Sequence, residues 1–257
     1  MLSQNLQVET RGNRKMTEGF KFEKDGAIGR LTLARPDKGN MLTLEMAKGV
    51  AAIIREVGSD PLMNVIGIFG EGEDFCKGRD PDGAPEGKPT TASEMRVALV
   101  EPLLGVYAAI RQAEIPIVSA VRGMVSGLGC GITAISDMTI AADNAKFVTP
   151  EMRANLPPTL AMLAHLDRVP PKALLHMVYS TNLIDSERAL SIGLVSDVVP
   201  KENLNEEMER LLRTIADYER PSVVTCKQYL QRSIKADYQT ANDLAGNMLA
   251  VVLSSRR

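Results

Sequence analysis

Tryptophan is absent, and the chain has only two histidines, His165 and His176, and three cysteines, Cys76, Cys130 and Cys226. The histidines lie on stretches of helical period with no Cys or His at ligand spacing, so no metal site is legible and packing or surface roles suit them. Three widely separated cysteines without a C-x-x-C pair argue against a disulfide framework and a zinc site, and they fit a reducing, cytoplasmic compartment. The scarcity of plausible Ser–His or Cys–His pairs weakens nucleophilic catalysis. Long hydrophobic runs are missing too. The first twenty residues carry no apolar signal core, and no run approaches the roughly 18 apolar residues of a membrane span, so secretion and membrane insertion are disfavoured. Charge of one sign is also lacking: 30 basic residues face 32 acidic ones without a basic block, which argues against nucleic acid as a partner.

What is present is a chain of 257 residues with 44% hydrophobic content, enough for one large domain with a core that needs no staples. Residues 1–16 read as a loose polar extension, with Met16 a candidate start. Residues 17–200 then alternate short β-branched runs with amphipathic stretches. The strand Ala27–Leu33 ends at Arg35-Pro36-Asp37, and Thr43 caps a helix through Val57 with Met46, Val50, Ile53, Ile54 and Val57 on one face. The apolar run Val65–Gly70, bounded by glycine, reads as a buried strand, and the long loop 70–90 behind it has the character of functional loops. A helix from about Ser93 to Gln112, kinked near Pro102, leads to the strand Ile117–Val121. After the glycine-rich turn 123–131 come a helix to Ser136 and strands at 138–142 and 146–148. This alternation predicts an α/β fold. Beyond Pro158 the pattern is largely helical, so residues 201–257 read as a helical region set apart from the sheet.

Three segments are candidates for chemistry. Gly123–Gly131 follows a strand and opens a helix but fails the dinucleotide fingerprint, because Ile132 stands where the third glycine or alanine belongs. Glycines there still let backbone approach a ligand, and amides at a helix N-terminus point at negative charge. A tight turn for close helix–strand packing is the alternative. Asp74–Asp80, directly after a buried strand, reads alone as a charged surface turn. Thr149-Pro150-Glu151 places one carboxylate where the chain leaves the sheet, with Pro150 holding Thr149 extended; alone, Glu151 reads as a solvated surface group.

Together these segments resemble the crotonase superfamily, the enoyl-CoA hydratase/isomerase family, from about Phe20 to Ser255. Arg35-Pro36 with Asn40-Met41-Leu42 is similar to the family's R-P-x-x-x-N-A-L turn, and Phe75-Cys76-Lys77-Gly78-Arg79-Asp80 to its F-x-A-G-x-D loop. Pro116–Gly123 with Gly127-Leu128-Gly129-Cys130 resembles P-V-I-A-A-V-x-G followed by G-G-G-C. Asp137, Ala141-Ala142-Asp143, Ala145-Lys146-Phe147 and Pro150-Glu151 continue it, and Gly193–Pro200 resembles G-L-V-x-x-V-V-P. The resemblance implies a spiral of ββα units with a C-terminal helical region that assembles trimers, often paired into hexamers.

It implies too an acyl-CoA substrate, with coenzyme A part of the substrate and no separate cofactor. The backbone N–H groups of Lys77 and Leu128 would form an oxyanion hole. Lys77, Gly78, Arg79 and Asp80, with Gly127, Leu128 and Gly131, would contact the substrate. One departure bears on the reaction. Family hydratases carry a glutamate after G-G-G-C, and here that position is Gly131, leaving Glu151 as the catalytic carboxylate. A 1,3-proton shift needs one base that removes a proton and returns it elsewhere, so isomerisation of an enoyl-CoA is the expected reaction. A one-glutamate hydratase or lyase is the competitor, and a non-catalytic acyl-CoA-binding homologue the third reading. The segment Arg153–Thr159 replaces the family's glycine-rich loop beside the acyl pocket. Met124, Met152 and Met162 are candidates to line that pocket, with core packing the stronger reading.

Overall fold

The fold is taken from a computed structural model that describes residues 9–11, 14–17, 19–82, 87 and 89–255. Its strands are β1 (Glu9–Arg11), β2 (Arg14–Thr17), β3 (Phe20–Asp25), β4 (Ile28–Leu33), β5 (Val65–Gly70), β6 (Ile117–Val121), β7 (Met124–Ser126), β8 (Met138–Ala142), β9 (Lys146–Val148), β10 (Ile184–Asp185) and β11 (Asp197–Val199). The helices are α1 (Leu44–Gly58), α2 (Ala92–Met95), α3 (Glu101–Gln112), α4 (Leu128–Ile135), α5 (Thr159–His165), α6 (Pro171–Ser180), α7 (Ser186–Ser191), α8 (Leu204–Ala216), α9 (Arg220–Ser233) and α10 (Tyr238–Ser255). Among the described residues one sheet runs β1-β2-β3-β4-β5-β6-β8-β11, and a smaller one runs β10-β9-β7. The large sheet is antiparallel from β1 to β4 and parallel from β4 to β11. Residues 9–17, read from sequence as falling mostly in a loose extension, supply β1 and β2 at its edge.

Both faces of the parallel part are covered, which is why β5 reads as an uninterrupted apolar run. On one face α1 and α3 pack Val50, Ile54, Val106 and Ile110 against Phe22, Leu31, Leu33 and Ile68. The α1 cap is as expected, with Thr43 Oγ1 accepting the Met46 amide at 3.2 Å. On the other face Leu204, Met208, Leu212 and Ile215 of α8 cover Ile28, Val65, Val118 and Ile140. Their spacing of three to four residues forms one helical stripe. Gly67 sets that approach: a Cβ there would press on Leu212 Cδ1 at 2.9 Å and Met208 Cε at 3.0 Å. The sequence reading set all of 201–257 apart from the sheet. The structure corrects this for α8, which covers one face of the sheet, and for the start of α9, whose Val223 joins the same cluster and whose Lys227 pairs with Asp137 at 2.7 Å; α10 packs on α9.

The helix expected over 93–112 is broken in the way proline chemistry requires. Thr91 and Glu94 form a reciprocal cap for α2. Residues Arg96–Val100 then make a wider π turn, closed by the Glu101 amide on the Arg96 carbonyl, before Pro102 opens α3. Proline has no N–H to give the preceding turn, and the widened turn absorbs the mismatch.

Candidate active site

Three chain segments that leave the carboxyl ends of strands meet at one cleft: 71–82 after β5, 127–128 after β7, and 149–151 after β9. In open α/β sheets that is where ligands bind. A cleft of about 580 Å3 opens there, and its lining includes Lys77, Gly78, Arg79, Gly127, Leu128 and Glu151. The structure thus brings together the segments singled out in the sequence.

The 71–80 loop is held by polar groups of the 35–42 turn and by backbone bonds. Asn40 Nδ2 donates to the carbonyls of Glu71 and Asp74 at 2.8 Å each, and its Oδ1 accepts the Arg35 amide at 2.9 Å. The Phe75 amide donates to Arg122 O at 2.9 Å, and Ser126 N to Cys76 O at 2.9 Å, tying the loop to the glycine-rich turn. Leu42 N donates to Gly78 O at 3.0 Å and Asp80 N to Leu42 O at 2.8 Å.

This network decides which amide is open, and it corrects the expectation for Lys77. The Lys77 N–H donates to Gly39 O at 2.9 Å, so it cannot also serve an oxyanion. Two residues on, the Arg79 N–H meets no acceptor among the described residues. Gly78, at φ +114°, lets this turn lie against the start of α4, where a Cβ would sit 3.4 Å from Ser126 O and 3.9 Å from Leu128 N. Leu128 is the first residue of α4, so its amide has no intrahelical acceptor; Gly131 N makes the first such bond, to Gly127 O at 3.0 Å. The geometry therefore pairs Leu128 with Arg79 rather than with Lys77.

Two other expected contacts are also corrected. Asp80 is only 2% exposed and pairs with Arg35 Nη1 at 2.7 Å, so it braces the loop and is absent from the cleft lining. Burial pushes its carboxyl up, but the Asp82 amide and Arg35 outweigh that and leave it below the usual value. Gly131 faces the ring of Tyr107, where a Cβ would overlap the phenol oxygen, and it does not reach the cleft. None of the three methionines lines the cleft: Met152 and Met162 lie against the core, and Met124 is half-buried at the start of β7.

Glu151 begins a short 3-10 turn after Pro150. Its Oε1 lies beside Gly127, where a Cβ would sit 2.8 Å away, and Gly127 also needs its φ of +50°. Its Oε2 is buried with no partner among the described residues. Burial raises its pKa above the ordinary 4.5. A hydrogen bond from its own backbone opposes this but is outweighed, and a partly desolvated carboxylate is a stronger base than a surface one.

The sequence reading missed the other lining. Leu99 in the π turn, with Leu103 and Tyr107 of α3, stands at four-residue spacing; Leu156 and Pro157 of the replaced loop and Leu160 of α5 add apolar surface. The spacing was legible; only the fold shows which face of the helix meets the cleft. Tyr107 is 3% exposed, and its hydroxyl has no partner among the described residues. Burial, then the nearby Cys130, Cys76 and Glu151, push its pKa well up, so it stays neutral. Cys76 and Cys130 are free buried thiols, and burial pushes Cys76 up to about 12. His165 is buried with Nδ1 2.6 Å from Ala161 O, and His176 is exposed. No group of three or more His, Cys, Asp or Glu suited to hold a metal occurs among the described residues. Nor is any described helix long and apolar enough to cross a membrane.

A parallel-sheet spiral with open loop and helix amides beside one half-buried carboxylate defines the class of protein. The family model described as enoyl-CoA hydratase/isomerase matches residues 23–256, and the chain belongs to that family, within the crotonase superfamily. It is 31% identical over 228 residues to the rat enoyl-CoA hydratase domain-containing protein 3, mitochondrial, covering 88% of this chain and 74% of that protein. The crystal structure of the human protein of that name superposes with a TM-score of 0.85 at 28% identity, covering 92% of each chain. A Thermobifida fusca protein named for enoyl-CoA hydratase and solved in complex with CoA has a TM-score of 0.81 at 24% identity, covering 92% of this chain and 93% of that one, which shows the shared fold.

Proposed function

We propose that this enzyme moves the double bond of an enoyl-CoA, with Glu151 as the proton shuttle and the Arg79 and Leu128 amides as the oxyanion hole. The observation that carries the reading is a single half-buried carboxylate among the described cleft residues, its Oε2 shut off from solvent, with Tyr107 against the bare Cα of Gly131 one helical turn from Gly127. The Glu151 carboxylate takes a proton from C2 of a 3-enoyl thioester. The C–H electron pair moves into the conjugated system and onto the thioester oxygen. There the two amides meet the growing charge, one such donor being worth roughly 2.7–4 kcal/mol in a dry, preorganised site. The protonated Glu151 then returns the proton to C4, and the 2-enoyl thioester results.

Incubating 2-enoyl-, 3-enoyl- and 3-hydroxyacyl-CoA panels and following products by mass spectrometry tests this, since isomerisation conserves mass and hydration does not. On the confirmed substrate, Glu151→Gln should lose about 10²–10⁴-fold in kcat. Retained turnover would remove Glu151 from the mechanism. The hydratase names of the relatives favour a second reading, a one-glutamate hydratase or lyase, and a product heavier by one water in the wild type would establish it.

For assembly we propose a homotrimer, or a hexamer built as a dimer of trimers, on the strength of the family resemblance and the exposed Leu249, Val251 and Leu253 of α10; sedimentation equilibrium checks it. A cytoplasmic location rests on the free thiols, whereas the rat relative is mitochondrial by name.

A further inference from the structure

We infer that Tyr107 is the residue that selects the reaction: its ring fills the compartment beneath Gly131 and keeps water from the acyl carbons that the cleft presents to Glu151. The inference rests on the acyl-CoA reading above and concerns a residue outside every motif that led to it.

The first turn of α4 carries the argument. Glu151 stands at Gly127 and Tyr107 at Gly131, so the carboxylate and the phenol flank one helical turn, with the Leu128 amide between them in sequence. The fit at Gly131 is tight: a Cβ there would overlap Oη and Cζ of Tyr107 and come within 2.8 Å of Cε1. No side chain other than glycine leaves room for the ring. The ring in turn takes the space next to Gly131, with Oη buried at the position a side chain there would occupy. Along the stripe from Leu99 through Leu103 to Tyr107 the side chains go from half-buried to 8% and then 3% exposed, so Tyr107 is the innermost of the three lining residues.

A buried hydroxyl that meets no acceptor is an unfavourable way to fill space. Nor does it serve readily as a second acid or base: burial pushes its pKa well up, so the neutral phenol gives up its proton reluctantly and no phenolate forms. What the side chain supplies is volume. Deleting the ring leaves a void beside a carboxylate-lined cleft, larger than the roughly 30 Å3 that one water occupies. Water admitted there has a base in reach. Glu151 takes one proton from it while the oxygen bonds to C3, the C2=C3 electrons move to C2 and the thioester oxygen, and the protonated Glu151 then delivers that proton to C2. The net change is addition of one water.

The experiment compares wild type with Tyr107→Phe, Tyr107→Leu and Tyr107→Ala on one enoyl-CoA, reading the ratio of hydrated to isomerised product by mass spectrometry. Phe keeps the ring and should hold the wild-type ratio. In Ala the ratio should rise about tenfold or more, the response to a relative barrier change of about 1.4 kcal/mol, with Leu between. Should Ala fail to fold, Leu against Phe carries the same comparison. An unchanged ratio in the folded Leu and Ala variants, or an equal rise in Phe, overturns the role of the ring. If the wild type itself mainly hydrates, or turns over no enoyl-CoA, the isomerase reading falls instead, and the selection assigned to Tyr107 falls with it.

Discussion

The cleft receives one group of residues from the 71–80 loop and another from the π turn and α3, and opposite means hold them in place. In the loop, side chains and amides are committed to backbone partners: Asn40 to two carbonyls and an amide, Asp80 to Arg35, Lys77 N to Gly39. On the helix side Leu99, Leu103 and Tyr107 are held by apolar contact, and the one polar atom, Tyr107 Oη, has no partner. Hydrogen bonds fix a direction, as an open amide at Arg79 requires, whereas packing fixes only a volume. The first region sets where charge is received, and the second sets what fits beside it.

Breaking the ion pair under the loop should give the largest effect. Asp80→Asn leaves Arg35 beside a neutral amide, and loss of one partner of a buried pair costs roughly 3–5 kcal/mol. Arg35 is 21% exposed, which places the expected loss at the low end. The denaturant midpoint reads the stability. If direction is what the loop provides, turnover at saturating substrate should fall as well, while Leu103→Ile on the helix side should alter substrate preference and spare the rate.

A smaller effect separates the carboxylate from both regions. The folded pKa of Glu151 is raised above 4.5 by burial, so its contribution to stability is full below the unfolded value and is lost as pH rises through the folded value. Across that window the stability of Glu151→Gln should rise relative to wild type, and above it the difference should level. The base form carries the chemistry, so kcat/KM should rise with pH across the window in which this stability is lost. Coincident stability curves for the two proteins at all pH values would show that Glu151 is not desolvated.

Much of this was legible in the sequence wherever a local rule sufficed. Period gave α1 and its Thr43 cap, β-branching gave β5 and β6, and the order of the glycine-rich turn and Pro150-Glu151 gave the site segments. The failures share a cause. Whether Lys77 or Arg79 offers the open amide depends on Gly39 O, a carbonyl 38 positions away in sequence, and a motif does not say which amide a distant carbonyl takes. Placing α8 on the sheet depends on the space at Gly67, and excluding Gly131 from the cleft depends on Tyr107. Helical period identified faces but not their partners, which is why the stripe 99, 103, 107 went unassigned.

The smallest expected effect is also the sharpest test of the difference between direction and volume. Tyr107→Phe deletes one oxygen and leaves the ring in place. If Oη had a committed partner, as the groups in the loop do, its loss would cost about 1 kcal/mol or more. With no acceptor among the described residues, removal instead relieves the desolvation of a buried hydroxyl. The thermal midpoint should stay level or rise, by an amount corresponding to at most about 1–3 kcal/mol. A fall in midpoint would show that Oη is bonded in solution, and Tyr107 would then belong with Asn40 and Asp80 among the groups that fix direction.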